Sequence, residues 1–238
     1  PQQLVVEKSS NEAIYKGPDN YLVSIRQGIA GVVPGQTKAE VKALFPFEYV
    51  HIGGDEVDPE HWENNADIQD FMRTNKLKDS HALQAYFNQR VQQILQKHQR
   101  KMIGWDEILE GGLAPEATVM SWRGEAGGIE AAKMNHDVVM TPGSPCYFDH
   151  YQAGPEGEPL AIGGFNTVKK VYDYEPIPKE LSAEQHKYVL GAQGNVWTEY
   201  ISTAEHLEYM VLPRMLALAE TVWSPAATKN WNDFSRRL

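Results

Sequence analysis

The chain has 238 residues, 42% of them hydrophobic, which is enough to bury one substantial core; a single α/β domain is the simplest organisation, ahead of two small ones. With 32 acidic against 22 basic residues the formal charge is -10, which argues against nucleic acid and anionic membrane surfaces as partners, because both need clustered Lys and Arg. The single cysteine, Cys146, excludes an internal disulfide framework and a multi-cysteine zinc site, and no apolar run of about 18 residues is present to form a membrane span.

The opening PQQLVVEKSS has no initiator Met, basic region or apolar stretch, so any signal peptide is expected to have been removed or to lie outside this sequence. Residues 1–45 give no clear assignment. From there on, short apolar runs alternate with helical patterns, the rhythm of βα units. Strands are predicted at EYVHIGG (48–54), KMIGW (101–105), ATVMSW (117–122), DVVMTP (137–142) and YVLGAQGNVW (188–197). Between the first two lies the clearest helix, DSHALQAYFNQRVQQILQKHQRK. Its Leu83, Phe87, Val91, Ile94, Leu95 and His98 fall at steps of three and four, predicting a face packed on the sheet, and Asp79 or Ser80 is placed to cap its start. Residues 151–180, rich in Gly and Pro, read as a long loop of the kind that is usually functional. The last helical stretch, AEHLEYMVLPRMLALAETVW, contains Pro213, which predicts a kink or a split.

Carboxylates and aromatic residues recur where these strands end. EYVHIGG leads into Asp55 and Glu56, KMIGW ends at Trp105 before Asp106 and Glu107, ATVMSW ends at Trp122, DVVMTP leads to CYFDHY, and the last strand to NVWTEY. In a barrel of parallel strands those ends converge on one face and build the active site from the following loops. Trp105, Trp122 and Trp197 among carboxylates suit a pyranose ring, whose C–H face stacks on indole while its hydroxyls meet acceptors. Trp62, Trp223 and Trp231 lack that register and are expected to be packing residues.

The motifs HIGGDEV, GWDEIL, VMSWRG, YFDHYQ, NVWTEY and PRMLALAE, in this order, resemble the β-N-acetylhexosaminidases of glycoside hydrolase family twenty, bacterial members in particular, over roughly residues 46–238. The resemblance implies a TIM (β/α)8 barrel, of which about five βα units are recognisable here. It implies removal of terminal β-linked N-acetylglucosamine or N-acetylgalactosamine from a glycan or glycoconjugate, with retention of anomeric configuration. No cofactor and no metal is expected. The nucleophile would be the substrate's own acetamide oxygen, so one residue must donate a proton and a second must stabilise the charge that develops at the acetamide nitrogen. By position in the motif Glu56 would be the acid and then the base, and Asp55 the stabilising carboxylate. Gly53 and Gly54 would free the turn that presents them. Tyr147 would hold the acetamide oxygen, Asp149 would lie near the sugar hydroxyls or the leaving group, and Glu199 would accept from the 4- and 6-hydroxyls. The i, i+2 spacing of Tyr147 with Asp149, and of Trp197 with Glu199, places each pair on one face of an extended segment. His51 is expected to support the site through an internal hydrogen bond, with a plain core histidine as the alternative, and Cys146 to point away from the pocket.

The sequence also departs from the family. A sugar-clamping arginine and a histidine in a PGH segment are missing, VVPGQ at 32–36 being a weak echo, and the pocket tryptophan of the 151–180 loop has only Ile162, with Phe165 nearby, in its place. Five strands with some 45 residues ahead of them leave no room for three further units, so the chain is expected to be the C-terminal portion of a longer catalytic domain, or else completed by a partner such as a second copy. The resemblance alone favours a periplasmic or secreted protein. Two other readings stay open: a metal-dependent barrel hydrolase using His51, Asp55, Glu56 and His61, and a non-catalytic sugar-binding protein on a degenerate barrel.

Overall fold

The computed structural model describes residues 3–7, 12–16, 22–24, 47–154 and 156–238. The VVPGQ segment lies outside the described residues. The chain divides into two compact units, one of residues 1–48 with 98–100 and one of residues 49–97 with 101–238. The first unit contains strands β1 (Gln3–Glu7), β2 (Glu12–Lys16) and β3 (Leu22–Ser24), paired as an antiparallel sheet in the order β1-β2-β3.

The second unit is built on a five-stranded sheet in the order β4-β5-β6-β7-β8, with β4 at Tyr49–His51, β5 at Lys101–Trp105, β6 at Thr118–Ser121, β7 at Val138–Met140 and β8 at Val189–Ala192. Every neighbouring pair is parallel, and each strand falls inside a segment expected from the sequence. Strict alternation gives the sheet two faces. On one, Met102, Val119, Val138 and Met140 form the main core with Ile108, Ala131, Ala132 and Cys146. On the other, Ile103, Trp105 and Met120 pack with Tyr49, Trp122 and Val139. Side chains at 103 and 105, and at 120 and 122, therefore share the face that leads to the strand ends. Covering both faces explains why these strands read as apolar runs rather than as alternating patterns.

Apart from a kinked helical turn at Gly143–Cys146, the α-helices of this unit among the described residues are α1 (Glu60–Glu63), α2 (Ala66–Thr74), α3 (Ser80–Lys97), α4 (Ala126–Lys133), α5 (Val168–Asp173), α6 (Ala204–Val211), α7 (Arg214–Trp223) and α8 (Trp231–Arg237). Helix α4 comes close to the sheet because it is small there: a Cβ on Gly128 would lie 2.6 Å from Met140 Cε. Its start is fixed by Ser121, whose hydroxyl donates to the Gly124 carbonyl at 2.7 Å and accepts from the Gly128 amide at 2.8 Å. Pro213 splits the last helical stretch into α6 and α7. A second apolar cluster, with Phe148, Val171, Tyr172, Ala217, Leu218 and Phe234, joins α5, α7 and α8 to the segment after β7.

Three expectations are corrected. Helix α3 is capped by Asp79, which accepts from the Ala82 amide at 2.8 Å, but it buries Gln84, Ala85, Asn88 and Gln92, leaves Phe87 62% and Ile94 46% exposed, and ends before His98. The inward face is polar because it meets a strand-end turn: Gln84 Nε2 donates to the Gly54 carbonyl at 2.8 Å. The stretch 151–180 is not all loop, since Thr167 caps α5 by accepting from the Lys170 amide at 3.1 Å. Trp223 is no packing residue among the described ones, being 90% exposed, whereas Trp231 does pack on Tyr172 and Phe234.

Candidate active site

The turn after β4 continues the parallel ladder before it breaks: Ile52 donates to the Ile103 carbonyl and Trp105 to the Gly53 carbonyl, each at 2.9 Å. Gly53 and Gly54 then take φ values of 74° and 97°, a region that a side chain resists. A Cβ on Gly54 would also lie 2.7 Å from Ile108 Cγ2. Glu56 follows at φ 46°, an uncommon left-handed conformation for a non-glycine residue, and such strain tends to cluster at working sites. Asp55 and Glu56 are both exposed on this turn.

Next to them the strand ends enclose a cavity of about 420 Å³ lined by Asp55, Glu56, Trp105, Trp122, Tyr147, Asp149, His150, Ile162–Gly164, Trp197 and Glu199. The three tryptophans, the carboxylates and the tyrosine expected at the site thus converge, although 144 residues separate the outermost two (199 − 55). His51 does not line the cavity. Its Nδ1 accepts from the Gly53 amide at 3.1 Å, the internal bond expected of it, and its ring meets Trp105 edge-on with centroids 4.8 Å apart. That packing desolvates the imidazole and lowers its pKa, against the opposing pull of the Asp55 charge.

Two walls are held firmly. Trp122 stacks on Tyr147 at a centroid distance of 6.4 Å, and its indole N–H donates to the Glu107 carboxylate at 2.9 Å. Glu107 is itself buried and lies near Arg123, whose Nε is 3.6 Å away. Tyr147 pairs with Asn195 in an isolated parallel bridge, with Phe148 donating to the Asn195 carbonyl at 2.7 Å and Asn195 to the Cys146 carbonyl at 2.8 Å. Burial pushes the Tyr147 phenol above its usual pKa, partly offset by hydrogen bonds to Asn195 and Trp197; the Asp55 charge acts in the same direction as burial. The hydroxyl therefore stays a proton-bearing donor. Asp149 is buried, its pKa is raised chiefly by desolvation, and its Oδ1 has no hydrogen-bond partner among the described residues. Cys146 points into the main core, where burial pushes its thiol up to about 12.

Sequence reasoning missed His150, Asn166 and Arg214, and gave Glu107, named among the strand-end carboxylates, no role of its own. His150 stood in the quoted motif but was given no role; it lines the cavity, and Asn166 Nδ2 lies 3.2 Å from its Nδ1. Ile162 lines the cavity, whereas Phe165 stays outside the lining. No arginine is found in that lining among the described residues. Nor do the described residues bring three or more His, Cys, Asp and Glu side chains into a metal-binding group, so His51, Asp55, Glu56 and His61 do not form the ligand set that one alternative required. No helix among the described residues is long and apolar enough to cross a membrane.

The chain is 58% identical over 200 residues to the β-hexosaminidase of Porphyromonas gingivalis, which covers 84% of the chain and 26% of that relative. A crystal structure of an exo β-N-acetylglucosaminidase from Vibrio harveyi, in complex with N-acetylglucosamine, superposes with a TM-score of 0.75 at 28% identity, over 98% of this chain and 37% of that one. The chitobiase of Flavobacterium johnsoniae does so with a TM-score of 0.69 at 35% identity, over 84% and 29%. The chain thus spans roughly a quarter to two fifths of the length of the relatives it matches. Its five parallel βα units are those of a TIM-barrel glycosidase, the structural class of these neighbours. The model described as "Glycosyl hydrolase family 20, catalytic domain" matches residues 4–226, and the chain belongs to that family.

Proposed function

We propose that the protein is a retaining exo-β-N-acetylhexosaminidase, releasing terminal N-acetylglucosamine or N-acetylgalactosamine through the neighbouring acetamide. The observation that carries this reading is the meeting of adjacent carboxylates, Asp55 and Glu56, with Trp105, Trp122, Trp197 and Tyr147 around one sugar-sized cavity. Indole faces would pack on the pyranose and its N-acetyl methyl, while Asp149 and Glu199 accept from sugar hydroxyls. Tyr147 would donate to the acetamide oxygen and aim it at the anomeric carbon. As that oxygen bonds to the carbon, the glycosidic C–O bond breaks and Glu56 passes its proton to the departing oxygen. The product is a cyclic oxazolinium ion, whose N–H would bond to Asp55 and whose positive charge that carboxylate offsets. Water then attacks the anomeric carbon from the face the leaving group vacated, gives its proton to Glu56, and reopens the ring with retained configuration.

The test is turnover of a chromogenic aryl N-acetyl-β-glucosaminide beside the matching aryl β-glucoside by the intact protein. Acetamide participation predicts cleavage of the first and almost none of the second. Equal cleavage of both would remove the mechanism, and binding of N-acetylglucosamine without turnover of either glycoside would favour a sugar-binding protein.

A further inference from the structure

We infer that Arg214 is a positioning residue for the reaction, holding the segment that carries Tyr147, Asp149 and His150 through its backbone carbonyls. The inference rests on the hexosaminidase reading. Arg214 opens α7 and is fully buried, an unusual place for a permanent charge. Its guanidinium is met by carbonyl oxygens. Nη1 donates to His150 at 2.8 Å and to Asn166 at 3.1 Å, Nε to Met210 at 3.1 Å, and Nη2 to Phe148 and again to Met210. The cation also lies 5.2 Å from the centre of the Phe148 ring. A planar fork of five donors can satisfy oxygens from several segments at once, which neither a neutral side chain nor the compact ammonium of lysine can copy.

The bonds fall in a telling place. Phe148 and His150 alternate with Tyr147 and Asp149, so fixing the carbonyls of the former sets the direction of the latter's side chains. Asn166, also fully buried, completes the hold from the other side: its Nδ2 donates to the Gly143 carbonyl at 2.8 Å and to that of Tyr147 at 2.9 Å, and its own carbonyl is one of those that Arg214 binds. Burial lowers the arginine pKa to about 10, so the group stays charged at neutral pH. Arg214 itself does not line the cavity; it acts through the placement of Tyr147, Asp149 and His150, and its charge also reaches Asp149 and His150.

The experiment compares Arg214→Lys and Arg214→Met with the unaltered intact protein, each with and without Tyr147→Phe. The readings are kinetics on an aryl N-acetyl-β-glucosaminide, far-UV circular dichroism, and near-UV circular dichroism, to which the Trp122–Tyr147 stack contributes. A misplacement of about 1 Å is enough to cost roughly 10²-fold in rate. Arg214→Lys is expected to keep its far-UV spectrum, to lose about 10²-fold in kcat with KM within about threefold, and to lose near-UV intensity. In the Tyr147→Phe background the same change should cost less than in the parent, because coupled residues are not additive, with the remaining loss carried by Asp149 and His150. Arg214→Met should fall further than Arg214→Lys. Equal losses in both backgrounds, or a near-UV spectrum and kcat like those of the unaltered protein, would overturn the inference. If neither arginine variant folds, Asn166→Ser decides: about tenfold in kcat with weakened near-UV intensity supports the clamp, and indifference overturns it. The near-UV reading does not need turnover, so a protein inactive on the glycoside would defeat the functional reading while the clamp is still measured.

Discussion

The two sides of the cavity are built differently. On one side Tyr147, Asp149 and Trp122 are held by a dense set of bonds: Glu107 to the indole, the bridge at Asn195, and the carbonyl contacts of Asn166 and Arg214. On the other, Asp55 and Glu56 are exposed on the turn after β4, which is the outermost strand of the sheet among the described residues, and the backbone of that turn is secured by Gln84 and His51. One side of the cavity is thus set by buried structure, while Asp55 and Glu56, to which the proposed mechanism gives charge stabilisation and proton transfer, stand exposed. The lesson is that loss of a group on the open side should cost chemistry and little stability, and that changes on the fixed side should cost both.

The largest effect is expected at Glu56. Glu56→Gln should lower kcat by about 10³-fold or more on glycosides with poor leaving groups and much less on activated aryl glycosides, with an unchanged melting temperature. Equal loss on both substrate classes would take away its role as acid. Asp55→Ala should follow at about 10²- to 10³-fold, again without loss of fold, because a preorganised charge beside the developing cation is gone. Near-normal turnover would remove Asp55 from the mechanism. Gly54→Ala sharpens the comparison from the backbone: with φ at 97° and Ile108 in the way, it should destabilise by about 1–3 kcal/mol in denaturant titration and lower kcat together with stability.

A smaller effect comes from the fixed side. The folded-state pKa of Asp149 is raised above its ordinary 3.8, so between that value and the raised one the folded protein holds more protons than the unfolded chain. Stability should therefore be fully favoured below 3.8 and fall as pH rises through the folded pKa. Asp149→Asn abolishes this titration. Its melting temperature should match that of the parent in acid and exceed it at neutral pH, with activity reduced. A constant difference at all pH values would show that Asp149 is not desolvated in the folded protein.

The same division governs what the sequence disclosed. Strands β4 to β8 were legible because apolar runs bounded by turn residues are local signals, and the strand-end tryptophans and carboxylates because parallel strands align those ends. The face of α3 was misread, since Phe87 and Ile94 fit a helical period better than the buried Gln84 and Asn88, of which Gln84 serves a turn 30 residues away. Arg214 and Asn166 escaped for a similar reason. Arg214 works on carbonyls 64 and 66 residues distant, and no spacing rule reports such contacts. A signal did exist: a lone arginine within MVLPRMLALA is a charge in a segment bound for the core.

The account turns on the acetamide group being both ligand and nucleophile, and binding of a thiazoline analogue of N-acetylglucosamine, which copies the cyclic intermediate, tests that most directly. Calorimetry with the intact protein should show binding at least about 10²-fold tighter than that of N-acetylglucosamine itself, weakened by Asp55→Ala and by Tyr147→Phe. A thiazoline that binds no better than the free sugar, or that is indifferent to both substitutions, would contradict it.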